Sequence, residues 1–249
     1  MEKVKVLNLE IHNTTRADLL RDLNQGVLYT PNADHLVLLQ KDREFYEAYK
    51  KCEWVVCDSR IVAMCARLLG FSIKEVIQGS SFFSEYYKYH REDENVRIFM
   101  LGAKPGVAQL AMEKINAKIG RKIIVGAHSP SFSFENDEDE NLRIIDIIKQ
   151  SSATVLLVGV GAPKQEKWIA RNRARLPGVR LYMALGATID FEAGKLRRAP
   201  KLCQSIGLEW LFRLITEPRR LWRRYLVDDL ALFPLIILQK IKKYKAPFC

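Results

Sequence analysis

Short apolar runs alternate with longer amphipathic stretches from Asn13 to about Gly194. Six runs have the length and composition of strands buried on both faces: 26–30, 54–57, 96–101, 122–125, 154–158 and 180–185. The stretches between them have the apolar spacing of helices: 14–24, 32–51, 60–69, 105–119, 140–150 and 164–176. This alternation predicts βα units, and therefore an α/β, Rossmann-like fold with a mainly parallel sheet flanked by helices.

The strand pattern stops at about Lys195, and the rest of the chain is helix-like, basic and rich in aromatic residues. Residues 195–249 hold 13 Lys and Arg against 4 Asp and Glu, whereas residues 1–194 hold 27 against 25. We therefore predict a catalytic body over 1–194 and a basic helical appendage over 195–249. Such asymmetry indicates a polyanionic partner: a membrane surface, a nucleic acid or a phosphorylated ligand.

Within the appendage, arginines lie among aromatic rings over residues 199–226, a composition that suits phosphate at an apolar boundary. The arginines are Arg213, Arg219, Arg220, Arg223 and Arg224, and the rings are Trp210, Phe212, Trp222 and Tyr225. The apolar run 230–238 is too short to span a bilayer, but it is suited to the interface beside the four lysines that follow. Since no signal peptide or spanning segment is recognisable, we expect a cytosolic protein.

The pattern of cysteines, histidines and carboxylates does not indicate a metal site or disulfide bonds. The five cysteines lack C-x-x-C spacing, and the four histidines form no cluster. Asp137-Glu-Asp139 looks like a D-x-D metal pair, but it lies in a polar run and follows no strand, which favours a solvated helix start. We therefore expect no metal and no cofactor.

Polar residues and glycines follow the predicted strands at the edge where open α/β sheets bind ligands. They are Thr30 and Asn32 after the first strand, Asp58 after the second, Gly159, Gly161, Lys164 and Gln165 after the fifth, and Gly186 and Asp190 after the sixth. Asp58 is a candidate general base, although from its position a helix N-cap for 59–69 is equally favoured. For Thr30 and Asn32 the alternative is capping of the helix that begins near Ala33.

The segment from Gly159 to Lys164 looks like the dinucleotide fingerprint G-x-G-x-x-G, but Lys164 stands where the third glycine belongs. Small residues still permit close approach of a ligand, and Pro163 is acceptable in the first turn of a helix. We therefore predict a nucleotide or sugar site without NAD, which disfavours a Rossmann oxidoreductase.

Six blocks together resemble the WecG/TagA/CpsF glycosyltransferase family: TPNADHL (30–36), CDSR (57–60), FMLGAKPG (99–106), VGVGAPKQEKWI (158–169), GATIDFEAGKLRRAP (186–200) and GLEWLFRLITEPRRLWRRY (207–225). The resemblance runs from about residue 27 to 225. It implies inverting, metal-independent transfer of a sugar from a UDP-sugar to an undecaprenyl-diphosphate-linked saccharide, in the synthesis of wall, capsule or exopolysaccharide. It also implies self-association in solution and peripheral binding to the anionic inner face of the bacterial plasma membrane.

The resemblance also assigns roles to individual residues. Asp58 falls at the proposed base, and Arg213, Arg220 and Arg223 fall where positive charge meets the diphosphate. The matching blocks imply a substrate pocket that consists of Thr30, Asn32, Gly102, Gly159, Gly161, Lys164, Gln165, Gly186 and Asp190. Arg219, Arg224 and Trp222 are expected at the membrane and diphosphate.

Three segments depart from the family pattern near the pocket: Cys57-Asp58-Ser59 in place of P-D-G, VIQGSS (76–81) in place of R-V-x-G-x-D, and PSF (130–132) in place of G-Y-F. The sequence therefore does not decide whether the donor carries N-acetylmannosamine, its uronic acid or glucose.

The rival interpretation is a non-catalytic module that binds membrane or nucleic acid through the appendage. The apolar run 230–238 and the polar residues at the strand ends argue against nucleic acid.

Overall fold

A computed structural model describes residues 2–197, 199–200, 209–223 and 229–248. The strands are β1 (Lys3–Val6), β2 (Leu9–His12), β3 (Gly26–Tyr29), β4 (Trp54–Val55), β5 (Ile98–Gly102), β6 (Ile124–His128), β7 (Val155–Gly159) and β8 (Leu181–Ala184). The helices of the body are α1 (Arg16–Asp22), α2 (Ala33–Leu38), α3 (Arg43–Lys50), α4 (Arg60–Leu68), α5 (Gly79–Tyr89), α6 (Val107–Ile119), α7 (Glu138–Gln150), α8 (Lys164–Asn172) and α9 (Thr188–Glu192). They are followed by α10 (Glu209–Thr216), α11 (Pro218–Arg223) and α12 (Leu232–Lys240).

Strands β3 to β8 form a parallel six-stranded sheet in the order β4-β3-β8-β7-β5-β6. Each of the six predicted runs contributes one of these strands, so the predicted α/β, Rossmann-like fold is confirmed. Strands β1 and β2 form a separate antiparallel hairpin that the sequence pattern did not predict.

The sheet is covered on both faces, and alternate residues of each central strand point to opposite sides. In β7, Leu156 and Val158 belong to one hydrophobic cluster, whereas Val155 and Leu157 belong to the other. Every residue of β5, β7 and β8 is buried. This explains why these strands are apolar throughout, because a parallel strand with helices on both faces has no solvent side.

One predicted helical stretch is divided in the structure. The stretch 32–51 forms two helices, because Asp42 is the N-cap of α3 and its side chain accepts a hydrogen bond from Phe45 N at 3.0 Å. The sequence pattern also missed α5 and α9. Helix α5 begins at Gly79 and lacks a side-chain cap at Gln78, so the usual start signal is absent there.

Helix α12 packs on the body through one face. Leu232 and Ile236 are buried in the core cluster that also includes residues of α2 and α4. The Gln239 side chain accepts a hydrogen bond from Leu7 N at 2.7 Å and donates one to Lys5 O at 3.3 Å. Phe233 and Ile237 of α12 are exposed, as are Leu230 just before the helix and Ile241 just after it, so this exposed surface is apolar. Across the described residues, no helix has both the length and the apolar character that a membrane crossing requires.

Glycines allow the carboxyl ends of three neighbouring strands to approach closely. A Cβ added to Gly102 would lie 2.4 Å from Gly159 O, and one added to Gly159 would lie 2.6 Å from Gly186 O. Gly102 also has φ of 141°, a value that residues with a side chain rarely adopt. The spacing of the strand ends therefore depends on the absence of side chains at these positions.

We predict that Gly102→Ala lowers the free energy of unfolding by about 3 kcal/mol, because overpacking and backbone strain add at this position. Gly178→Ala is the matched control, since Gly178 is exposed and no heavy atom lies within 4 Å of its would-be Cβ. The control is expected to change stability by less than about 0.5 kcal/mol. Urea denaturation of both variants measures the difference, and equal midpoints would contradict the prediction.

Candidate active site

The parallel sheet brings the predicted site residues to one edge. In the spatial order of the strands, they are Asp58 after β4, Thr30 and Asn32 after β3, Gly186 and Asp190 after β8, Gly159, Gly161, Lys164 and Gln165 at β7, and Gly102 at the end of β5. Their distribution follows the rule that ligands bind outside the carboxyl ends of the strands. Their contact with substrate stays a prediction.

Asp58 is half-buried, and its carboxylate lies at the N-terminus of α5. Oδ1 accepts a hydrogen bond from Gly79 N at 3.2 Å. The alternative that Asp58 caps α4 is wrong, because the N-cap is Ser59, whose hydroxyl accepts a hydrogen bond from Ile61 N at 3.2 Å. The positive end of the α5 dipole instead stabilises the charge on Asp58.

Gly79 was missed by sequence reasoning, although it connects two predicted site residues. Besides donating to Asp58, its backbone lies against the Thr30 side chain, since a Cβ at Gly79 would be 3.1 Å from Thr30 Oγ1. Thr30 is only 5% exposed. The glycine within VIQGSS (76–81) was the available signal, but the pattern gave no reason to place it near Asp58.

Asn32 has an identified structural role. It is the N-cap of α2, and its Oδ1 accepts a hydrogen bond from His35 N at 3.3 Å, which confirms the capping alternative. Thr30 does not occupy this cap position. The capping bond fixes Asn32 at the end of β3, next to the strand that leads to Asp58.

Gln165 connects the loops that follow β7 and β8. Its Oε1 accepts hydrogen bonds from Gly161 N at 3.2 Å and Gly186 N at 3.1 Å. The residue is 2% exposed, so its amide holds the two loops together from inside. Asp190, in α9 beyond the second loop, is half-buried and its backbone carbonyl accepts a hydrogen bond from Lys195 N at 2.9 Å.

Lys164 is paired with a carboxylate that the sequence analysis did not single out. Its Nζ lies 2.7 Å from Glu135 Oε1 and 4.6 Å from the centroid of the Phe132 ring. Burial acts to raise the pKa of Glu135, but the hydrogen bond and charge of Lys164, a backbone hydrogen bond and the charge of Arg171 together outweigh it, so that the pKa falls below its usual value. Lys164 therefore already has a carboxylate partner within the protein.

The arginine predictions fall largely outside the described side chains. Arg213 belongs to α10, and Arg220 and Arg223 belong to α11, but their side chains lie outside the described part of the structure, as does all of Arg224. Arg219 and Trp222 are exposed on α11.

The D-x-D segment forms the start of a helix, as expected. Asp137 is the N-cap of α7 and accepts a hydrogen bond from Glu140 N at 2.9 Å. Over the described ranges, no group of three or more His, Cys, Asp or Glu is arranged to hold a metal ion. Metal-independent chemistry stays a prediction.

Comparison with protein families gives a match over almost the entire chain. The profile described as Glycosyl transferase WecG/TagA/CpsF family matches residues 4–246. The match extends beyond the motif blocks in both directions, and it includes the β1-β2 hairpin from residue 4 onward and all of α12.

Proposed function

The chain belongs to the WecG/TagA/CpsF family of glycosyltransferases, and from this premise we propose that it transfers a sugar, with inversion, from a UDP-sugar to an undecaprenyl-diphosphate-linked saccharide. The observation that carries the proposal is the Asp58 carboxylate, which is fixed at the ligand-binding edge of the sheet by Gly79 N. The donor is of the N-acetylmannosamine, N-acetylmannosaminuronic acid or glucose type.

Asp58 acts as the general base in this proposal. It removes the proton from the acceptor hydroxyl while that oxygen attacks the anomeric carbon from the face opposite UDP, so that the configuration inverts. The new bond joins the acceptor oxygen to the sugar, and the bond from the sugar to the UDP oxygen breaks. The Gly79 hydrogen bond supports this role because it orients the carboxylate before the acceptor arrives.

The donor binds at the loops after β7 and β8 in this proposal. Gly161 and Gly186 leave open space there, since no heavy atom lies within 4 Å of where a Cβ would stand on either residue. The nine-residue helix α8 begins beside Gly161, and helix N-termini favour anionic ligands such as a diphosphate.

Arg213, Arg220 and Arg223 neutralise the departing diphosphate in this proposal, without a metal ion. Arginine suits the role because its planar guanidinium binds phosphate oxygens in pairs and stays charged at any working pH. The pairing of Lys164 with Glu135 supports it, because that ion pair leaves less positive charge on the body for the leaving group.

Helix α12 supports peripheral binding to an anionic membrane surface at the inner face of the plasma membrane. Its exposed face is apolar, and Lys240, Lys242, Lys243 and Lys245 lie at its C-terminal end. This combination favours the interface of an anionic bilayer. There the enzyme would meet its lipid-linked acceptor.

We expect Asp58→Asn to lower kcat for UDP release by at least about 100-fold, because the amide removes the base but keeps an oxygen that accepts from Gly79 N. UDP binding, measured by calorimetry, should be unchanged within about twofold, since Asp58 meets the acceptor. Asp146→Asn, an exposed aspartate on α7, is the control and should behave like wild type. Full turnover in Asp58→Asn would exclude Asp58 as the base.

We expect Arg220→Ala to lower kcat by about 100-fold, because a group that stabilises developing charge is removed. Arg143→Ala is the matched control, since Arg143 is exposed on α7, remote in sequence from the appendage. The measurement uses saturating UDP-sugar and a lipid-diphosphate acceptor analogue. Equal rates for the two variants would remove Arg220 from the mechanism.

We expect Ile237→Ser to reduce partition onto vesicles of anionic phospholipid about tenfold, since an isoleucine contributes about 1.5 kcal/mol when it leaves water. Ile237 is 60% exposed on α12, and the control Ile147→Ser changes an exposed isoleucine on α7. Co-sedimentation measures the partition. Point substitutions are preferable to truncation at residue 195, because Leu232 and Ile236 belong to the core. Unchanged co-sedimentation would exclude this face of α12 from membrane contact.

A further inference from the structure

A carboxyl group is completely buried beneath the candidate site. Glu166, next to Gln165 in the first turn of α8, has 0% exposure. Its Oε1 accepts a hydrogen bond from Gln165 Nε2 at 2.8 Å, and its Oε2 has no partner within the described part of the chain. A buried polar atom without a hydrogen bond is unfavourable for stability, which indicates that Glu166 has a role other than filling space in the core.

The amide of Gln165 needs a defined orientation to connect the two loops. Its oxygen faces two donors, Gly161 N and Gly186 N. If the amide turned by 180°, its NH₂ group would face both N–H groups and the connection would be lost. An acceptor on the opposite side of the amide prevents that turn, and Glu166 Oε1 provides this acceptor.

We propose that Glu166 is a positioning residue, whose buried carboxyl group orients the Gln165 amide so that it holds the loops after β7 and β8 together. The inference rests on the proposed function only in assigning these loops to the donor pocket. The three contacts that carry it, at 2.8, 3.1 and 3.2 Å, all lie within the body of the protein.

The surroundings of Glu166 favour the neutral carboxylic acid. Burial raises its pKa to about 7, although the bond from Gln165 acts in the opposite direction, and the negative charge of Asp34 on α2 adds to the increase. Tyr29 on β3 donates a hydrogen bond to the backbone carbonyl of Glu166 at 3.1 Å, and Tyr49 on α3 lies close enough for the charge of Glu166 to act on its phenol. Both phenols are themselves kept neutral by burial, which raises their pKa well above the usual value.

The raised pKa of Glu166 makes the orientation of the Gln165 amide dependent on pH. Because the folded-state value is raised from 4.5 to about 7, the contribution of Glu166 to stability is complete below about pH 4.5 and is lost as the pH rises through 7. Above that range, a buried carboxylate with one unpartnered oxygen favours opening of the loops to water. Glu166→Gln removes the ionisation but keeps an acceptor for Gln165.

Amide hydrogen exchange at Gly161 and Gly186, followed by NMR at pH 6, tests the proposal directly. Wild type and Glu166→Gln should protect both amides, whereas Glu166→Leu, which removes the acceptor, should exchange both at least about tenfold faster. Amides inside β7, such as those of Leu156 and Val158, are the internal reference and should not change. Unchanged protection at Gly161 and Gly186 in Glu166→Leu overturns the proposal.

The pH dependence provides a second readout that does not need the leucine variant to fold. Between pH 6 and 8, exchange at the two glycines, corrected for its intrinsic pH dependence, should accelerate in wild type and stay constant in Glu166→Gln. Parallel profiles for the two proteins also overturn the proposal. If wild type fails to transfer sugar but shows the expected exchange pattern, the proposed function fails while the positioning role of Glu166 stands.

Discussion

The close approach of the carboxyl ends of β5, β7 and β8 is the constraint on which the candidate site depends. The backbone oxygen of Gly159 occupies space that a Cβ on Gly102 would need, and that of Gly186 occupies space that a Cβ on Gly159 would need. At this spacing one side chain, Gln165, reaches from the start of α8 to the loop after β8. The loops of the proposed donor pocket are therefore held by backbone packing and one buried amide, within a sheet that is covered on both faces.

Charge is distributed unequally between the sheet edge and the C-terminal region. At the edge, Asp58 is held at a helix N-terminus and Lys164 is paired with Glu135. The C-terminal 55 residues carry most of the net positive charge of the chain. The part that contains the arginines is bounded on one side by Ala199, which is buried, and on the other by α12, which packs on the core.

Much of the fold could be predicted from local patterns. Runs of strand length dominated by apolar residues identified all six strands of the sheet, because a parallel strand covered on both faces is mainly apolar. The errors have local causes. The amphipathic spacing continues from α2 into α3, which conceals the break at Asp42, and α5 begins without a side-chain cap. The hairpin was missed although its strands KVKV and LEIH alternate between exposed and buried residues, because they lie before the first long apolar run.

The sequence by itself determined the six strands of the sheet, most of the helices and the polar residues that follow the strands, because these depend on near neighbours in the chain. The tertiary structure alone decided their partners. Asp58 does not cap the helix that follows it but accepts from Gly79, and Gln239 binds Leu7, 232 positions away. The tertiary structure also decided the burial of Glu166. The neighbouring sequence does not indicate that its carboxyl group is buried, since burial depends on how α2, α3 and β3 pack around it.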